Sequence, residues 1–176
     1  VREAVKPLTA KGMLLPRPRI GTRVMPQSSW HFLDQELLTW WMTRENFDQV
    51  MAHFIVLRRA LEPQACALAA ISASEEQKNQ LSLYMYEMRQ LHNNFDRERW
   101  KTVDAQFHKL IYEAGINPFL TSFSNLFSSV YQSYCRAITG NEVIKLEHHQ
   151  RLTDAILAGD ANTALLECQS LLLADE

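Results

Sequence analysis

The chain has 176 residues, 47% of them hydrophobic and 22% charged, with five glycines and a formal net charge of −2. That length and apolar content suit one globular helical domain with a small appendage. No run of eighteen apolar residues occurs, which excludes a membrane span. Residues 1–7 lack the apolar core of a signal peptide, and the scattered Cys66, Cys135 and Cys168 read as reduced cytoplasmic thiols, not a disulfide framework.

The net charge hides an asymmetry. Residues 1–25 carry six basic side chains (Arg2, Lys6, Lys11, Arg17, Arg19, Arg23) against the single acid Glu3, whereas the rest carries 12 basic and 19 acidic ones. A basic end on an acidic body fits a nucleic-acid-binding module joined to a sensing domain, and it also fits a solvated charged terminus.

In chain order, residues 1–12 read as a short helix stopped by Gly12. Met13–Leu15 and Thr22–Met25 bracket a Pro/Arg/Gly tip and read as two strands. Pro7 costs a helix interior roughly 3 kcal/mol, so this helix is expected to begin effectively near residue 6. The string V-R-E-A-V-x-x-L-x-x-K-G-M-L-x-x-R-P-R-x-G-T-x-V resembles the recognition helix and wing of a GntR-type winged helix. The resemblance implies that Arg2 contacts operator DNA and that Arg19 sits at the wing tip. It also implies that the chain opens inside the recognition helix, so residues 1–26 would form a partial DNA-binding domain without operator specificity of its own.

Residues 27–45 read as a linker and linker helix, with Asp34 as N-cap for a helix over 35–43. The wording W-x-x-L-D-x-x-L-L-x-W is close to the interdomain segment of sugar-acid-responsive regulators of the galactonate-operon type. Residues 46–71 form a long amphipathic helix with Met51, Phe54, Ile55, Leu61 and Ala65 as its stripe and Arg58 within it. A guanidinium there is snorkelling, paired or held for a ligand. Glu62 reads as its structural counterpart, pairing with a neighbouring basic residue.

Ser74 and Gln77 form a capping box for a helix to about residue 93. The next helix spans about 97–115, on a row of Val103, Phe107, Leu110, Ile111 and Ala114. Asp104 and His108, four apart, share one inward-leaning face. They are costly there unless paired with each other, a metal or a polar ligand. Asn117 and Pro118 stop that helix and start another to about residue 139, which presents Ser129, Tyr131, Gln132, Ser133 and Arg136. The last helices run about 142–158 and 161–174, joined through Gly159 and Asp160. His149 shares an apolar row with Leu152 and Ile156, while His148 is off register and reads as solvated.

The series D-x-x-x-H, N-P-F-L and E-H-H-x-x-L-x-x-A-I-x-x-G-D resembles the effector-binding (FCD) domain of FadR-type regulators in the GntR family. This resemblance implies an all-α antiparallel bundle of six or seven helices over residues 46–176, with a divalent metal held by Asp104, His108 and His149. Zinc fits that donor set best, and nickel or manganese also suit it. The stretch R-x-x-L-E-P-x-A-x-x-L-A-A matches the family helix whose arginine reaches an effector carboxylate, which selects Arg58. Ser129, Tyr131 and Gln132 are candidate effector contacts. The family's fourth histidine ligand falls at Leu171, which cannot coordinate, leaving Cys168 as a possible substitute.

The implied function is a dimeric operator-binding regulator, a repressor of a sugar-acid operon, controlled by a small carboxylate. The alternative from another class is a metal-dependent hydrolase on Asp104, His108 and His149, since three protein ligands leave open positions. No carboxylate stands where such chemistry places its base.

Overall fold

The computed structural model describes residues 2–134 and 144–173; the side chains of Arg2 and of residues 132–134 also lie outside the described set. Two compact units divide between Arg44 and Glu45. The described residues form eight α-helices and one two-stranded hairpin, so the chain is all-α with the remnant of a wing near its start.

The first unit begins with α1 (Arg2–Ala10), then β1 (Leu14–Arg17) and β2 (Gly21–Val24). The strands are antiparallel, with Leu14 opposite Val24 and Arg17 opposite Gly21. Pro7 lies inside α1, contrary to the expected start near residue 6. The ring removes one donor to the preceding turn. Glu3, whose carbonyl loses that donor, is exposed, so water can satisfy it at modest cost.

Gly12 ends the helix at φ +73, and a Cβ there would run into the Ser29 carbonyl, so this turn requires glycine. A 3-10 turn at Gln27–Ser29 leads to α2 (Gln35–Trp41). Asp34 caps α2 by accepting from the Leu37 amide at 2.9 Å. The same carboxylate accepts from Lys11 Nζ at 2.7 and 2.8 Å, tying the end of α1 to the start of α2.

The second unit is a bundle of α3 (Phe47–Ser72), α4 (Glu75–Asn93), α5 (Arg97–Ala114), α6 (Pro118–Tyr134), α7 (Leu146–Ala158) and α8 (Ala161–Leu173). Short connections join α3 to α4, α4 to α5, α5 to α6 and α7 to α8. The predicted capping box is present, Ser74 and Gln77 exchanging side-chain-to-backbone bonds. Helix α5 packs on α3, α4 and α6, and α7 packs on α3, α4 and α8. That placement sets the inward rows of α3, α5, α6 and α7 around one core that includes Phe107, Ile111, Phe127, Leu152 and Ile156, each exposed by 1% or less.

Helix α7 starts at Leu146, not near 142, because Lys145 adopts a left-handed backbone at φ 44 and breaks the helical run. Residues 142 and 143 lie outside the described set. Among the described residues, no helix is long and apolar enough to cross a membrane.

Candidate metal and effector site

The inward row of α5 carries Trp100, Asp104, His108 and Tyr112 at steps of four, so these side chains stack one turn above another. All four are at most 3% exposed. Helix α7 brings His149 to the same place, with Nε2 3.2 Å from Asp104 Oδ1. His108 Nε2 stands 3.7 Å from that same oxygen. One donor atom from each of Asp104, His108 and His149 falls within 4.8 Å of the others.

The tautomers favour these atoms as acceptors. His149 Nδ1 lies 3.4 Å from the Lys145 carbonyl, which can only accept, so a proton on Nδ1 leaves Nε2 as a lone pair. His108 Nε2 lies 3.4 Å from Arg58 Nη2, which can only donate. Its proton then falls on Nδ1, 2.5 Å from Glu62 Oε1 though off the straight hydrogen-bonding direction. Asp104 Oδ1 and His149 Nε2 have no hydrogen-bond partner among the described residues and are shielded from water.

Electron-rich atoms facing one another in a dry core repel unless a cation lies between them. Two donors about 2.0–2.1 Å from an ion stand roughly 3.0–3.4 Å apart, close to the 3.2 and 3.7 Å found here. The oxygen and two nitrogens are donors a divalent ion takes, and to reach it the His108 Nε2 lone pair would have to turn from the Arg58 N–H to the ion. His149 Nδ1 faces the Lys145 carbonyl and His108 Nδ1 lies against the Glu62 carboxylate, the kind of outer contact that orients histidine ligands.

Arg58 enters from α3. Glu62 accepts its Nε at 2.8 Å and its Nη2 at 3.1 Å, which bears out the expected pairing. The guanidinium lies over Phe127, 5.0 Å from the ring centroid, with Tyr131 at 6.0 Å. Burial pushes the Glu62 carboxyl up, but the Arg58 charge and the close contacts with Arg58 and His108 outweigh it and hold the group well below the usual carboxylate range. Burial, reinforced by the Glu62 charge, holds the Tyr112 hydroxyl well above the usual phenol range.

Not every candidate meets at this point. Tyr131 stacks on Phe127 at 4.8 Å and reaches Arg58. Ser129 is two residues from both, about 200° around α6, and its hydroxyl donates to the Asn125 carbonyl. Gln132 and Ser133 lie outside the described side chains, and Arg136 and Cys135 outside the described residues. His148 is half-buried with Nδ1 shielded and unpartnered, not solvated, because α7 is flanked by neighbours on several sides. Cys168 is buried on α8 with its thiol hydrogen-bonded to Cys66, and it is not among the described residues whose ligand atoms come together at Asp104, His108 and His149.

Two residues escaped the sequence reading. Trp100 could have been found by extending the Asp104–His108 row one turn back. The reach of Glu62 to His108 depends on how α3 is rotated against α5 and has no local signal. In the first unit, Arg19 occupies the exposed hairpin turn at φ 64.

Residues 53–173 match the FCD domain model. The HTH-type transcriptional regulator YieP of Escherichia coli (strain K12) is 62% identical over 172 residues, 98% of this chain and 75% of YieP. The galactonate operon transcriptional repressor of the same organism is 27% identical over 168 residues, 93% of this chain and 72% of that protein. Among solved structures, Streptococcus agalactiae GntR shares the fold at a TM-score of 0.67 and 19% identity, covering 99% of this chain and 78% of that one. E. coli McbR/YncC does so at 0.59 and 19%, covering 99% and 76%. YieP and the galactonate operon repressor are both named as transcription regulators, which favours regulation over the hydrolase alternative. The chain belongs to the GntR family of transcription regulators and carries its FCD domain.

Proposed function

We propose that the helical unit binds a small hydroxylated carboxylic acid beside a divalent metal ion, and that this binding weakens operator binding by the winged-helix unit. The observation that carries the reading is the meeting of Asp104, His108 and His149, with each imidazole Nδ1 facing an acceptor and each Nε2 facing one carboxylate oxygen. Zinc suits this set of one oxygen and two nitrogens, and nickel or manganese also fit. Such an ion would draw a carboxylate and an adjacent hydroxyl, because three protein ligands leave positions for them. Arg58, whose Nε and Nη2 hold Glu62, would turn part of its guanidinium to the effector carboxylate, with Tyr131 beside it.

A sugar acid is the effector class we infer. The interior is studded with polar groups, unlike a tunnel for an acyl chain, and one relative is named for the galactonate operon. The working assembly is a homodimer on a palindromic operator, with Arg2 and Arg19 at the DNA. The effector changes the spacing of the two reading heads, and coupling is reciprocal: acid loosens DNA and DNA loosens acid.

The test measures metal content, then thermal stability with D-galactonate at millimolar concentration, for the wild type and for His108→Ala. Bound metal and stabilisation by the acid are expected in the wild type, and both should vanish in the variant. Metal content unchanged by His108→Ala would refute the ligand set; stabilisation by an acyl thioester and by no sugar acid would refute the effector class.

A further inference from the structure

The indole Nε1–H of Trp100 is shielded from water and has no hydrogen-bond partner among the described residues, in a residue only 1% exposed. Buried donors are satisfied in the great majority of cases, so an unmet one marks a missing partner. Trp100 stands one turn before Asp104 on the inward row of α5, and its ring meets that of His149 edge-on, 5.9 Å between centroids at 88°. Two unmet atoms of the site, Asp104 Oδ1 and His149 Nε2, belong to its immediate neighbours.

These unmet atoms are of opposite kinds. The carboxylate oxygen and the imidazole nitrogen present lone pairs, which a cation answers. The indole N–H is a donor only and ligates no metal. A metal alone leaves Trp100 unsatisfied, and an oxygen acceptor, from a bound acid or from a water that the acid displaces, would answer it. A phenylalanine would supply comparable apolar packing without that requirement.

We infer that Trp100 is a specificity-determining residue of the effector site, donating its indole N–H to an oxygen of the bound acid. The inference rests on the reading of this site as a metal-assisted acid site and adds a selection rule to it. A simple acid such as acetate spends its two oxygens on the ion and Arg58. A hydroxy acid keeps a further oxygen for the indole. Trp100 thus favours hydroxylated acids over plain ones.

The test uses the zinc-loaded full chain and three probes: D-galactonate, glycolate and acetate. Trp100 is replaced by 3-benzothienylalanine, whose sulfur takes the place of the N–H in a ring of the same shape, and separately by Phe. The isostere should keep its metal and melt near the wild type, while D-galactonate affinity falls about tenfold, as for one lost hydrogen bond. Acetate binding should be unchanged, and in the wild type the Trp100 indole NMR signal should shift on saturation with D-galactonate. Where Trp100→Phe loses its fold, the isostere decides. Undiminished galactonate affinity in the isostere, or an indole signal unmoved at saturation, overturns this inference and leaves the acid site standing. A wild-type protein that binds neither hydroxy acid overturns the acid site and this inference together.

Discussion

Glu62 Oε1 lies 2.5 Å from His108 Nδ1, while Oε2 of the same carboxylate holds Arg58 Nε at 2.8 Å. One fully buried acid thus orients a candidate metal ligand and the candidate effector clamp at once. Glu62→Gln keeps the size and removes the charge, so metal affinity should fall roughly tenfold to a hundredfold, as for loss of a group that orients a ligand. Glu62→Ala, which strands a buried guanidinium, should destabilise the protein by about 3–5 kcal/mol. Competition with a chromogenic chelator and thermal unfolding read the two effects. Metal affinity unchanged in Glu62→Gln would show that the contact orients nothing.

Arg58 separates effector recognition from metal recognition. Removing its side chain would leave Glu62 buried and unpaired, so Arg58→Lys is the cleaner change: the charge stays and the two-pronged fork is lost. Metal content should hold, whereas stabilisation by D-galactonate should drop by about 1.5–3 kcal/mol, the range for a hydrogen bond to a charged group. Calorimetric titration checks it, and equal affinity in both proteins would remove Arg58 from the site.

Much of this was legible in the sequence because the signals are local. Ser74 with Gln77, Asp34 before Gln35, and Gly159 each fix a helix end through groups within three residues. The step of four from Asp104 to His108 likewise fixes one face of one helix. What stayed hidden depends on rotation between helices. Spacing on α3 shows that Arg58 and Glu62 are neighbours, but it does not show that Glu62 also meets His108 on α5. Ser129 looked equivalent to Tyr131 until Phe127 turned out to define the inward side of α6. The left-handed Lys145 left no mark, since lysine carries no preference for that backbone.

The first unit should carry a pH signature from Lys11 and Asp34. The Lys11 hydrogen bonds and the Leu37 amide pull Asp34 below its ordinary value of 3.8. Its hydrogen bonds to Asp34 and Glu36 push Lys11 above its ordinary value of 10.5. A lowered carboxyl stabilises above its ordinary value and loses that as pH falls through the lowered one. A raised amine stabilises below its ordinary value and loses that as pH climbs through the raised one. The pair therefore contributes fully between about pH 4 and about pH 10.5. Asp34→Asn retains a good helix cap while removing the ion pair, so its acid unfolding limb should be shallower than the wild type below about pH 4. The indole NMR signals of Trp30, Trp40 and Trp41 report on this unit, and superimposable acid limbs would rule the pair out as its source.

The last prediction restores a ligand. The resemblance to the family implies a fourth ligand, a histidine eleven residues after the aspartate of the Gly-Asp pair, and counting from Asp160 gives Leu171. That leucine sits on α8 at 3% exposure, so a histidine there is buried and costs stability unless the metal takes its lone pair. Cys168, one turn earlier, is hydrogen-bonded to Cys66. Leu171→His should therefore lower the melting temperature of metal-free protein and raise metal affinity by tenfold or more. The gain in stability on adding zinc should exceed that of the wild type, because tighter binding to the native state shifts the unfolding equilibrium further. The fourth protein ligand also takes a position open to the acid, so the response to D-galactonate should weaken as metal binding strengthens. A variant that is destabilised with no gain in metal affinity would mean that residue 171 does not face the Asp104, His108 and His149 cluster.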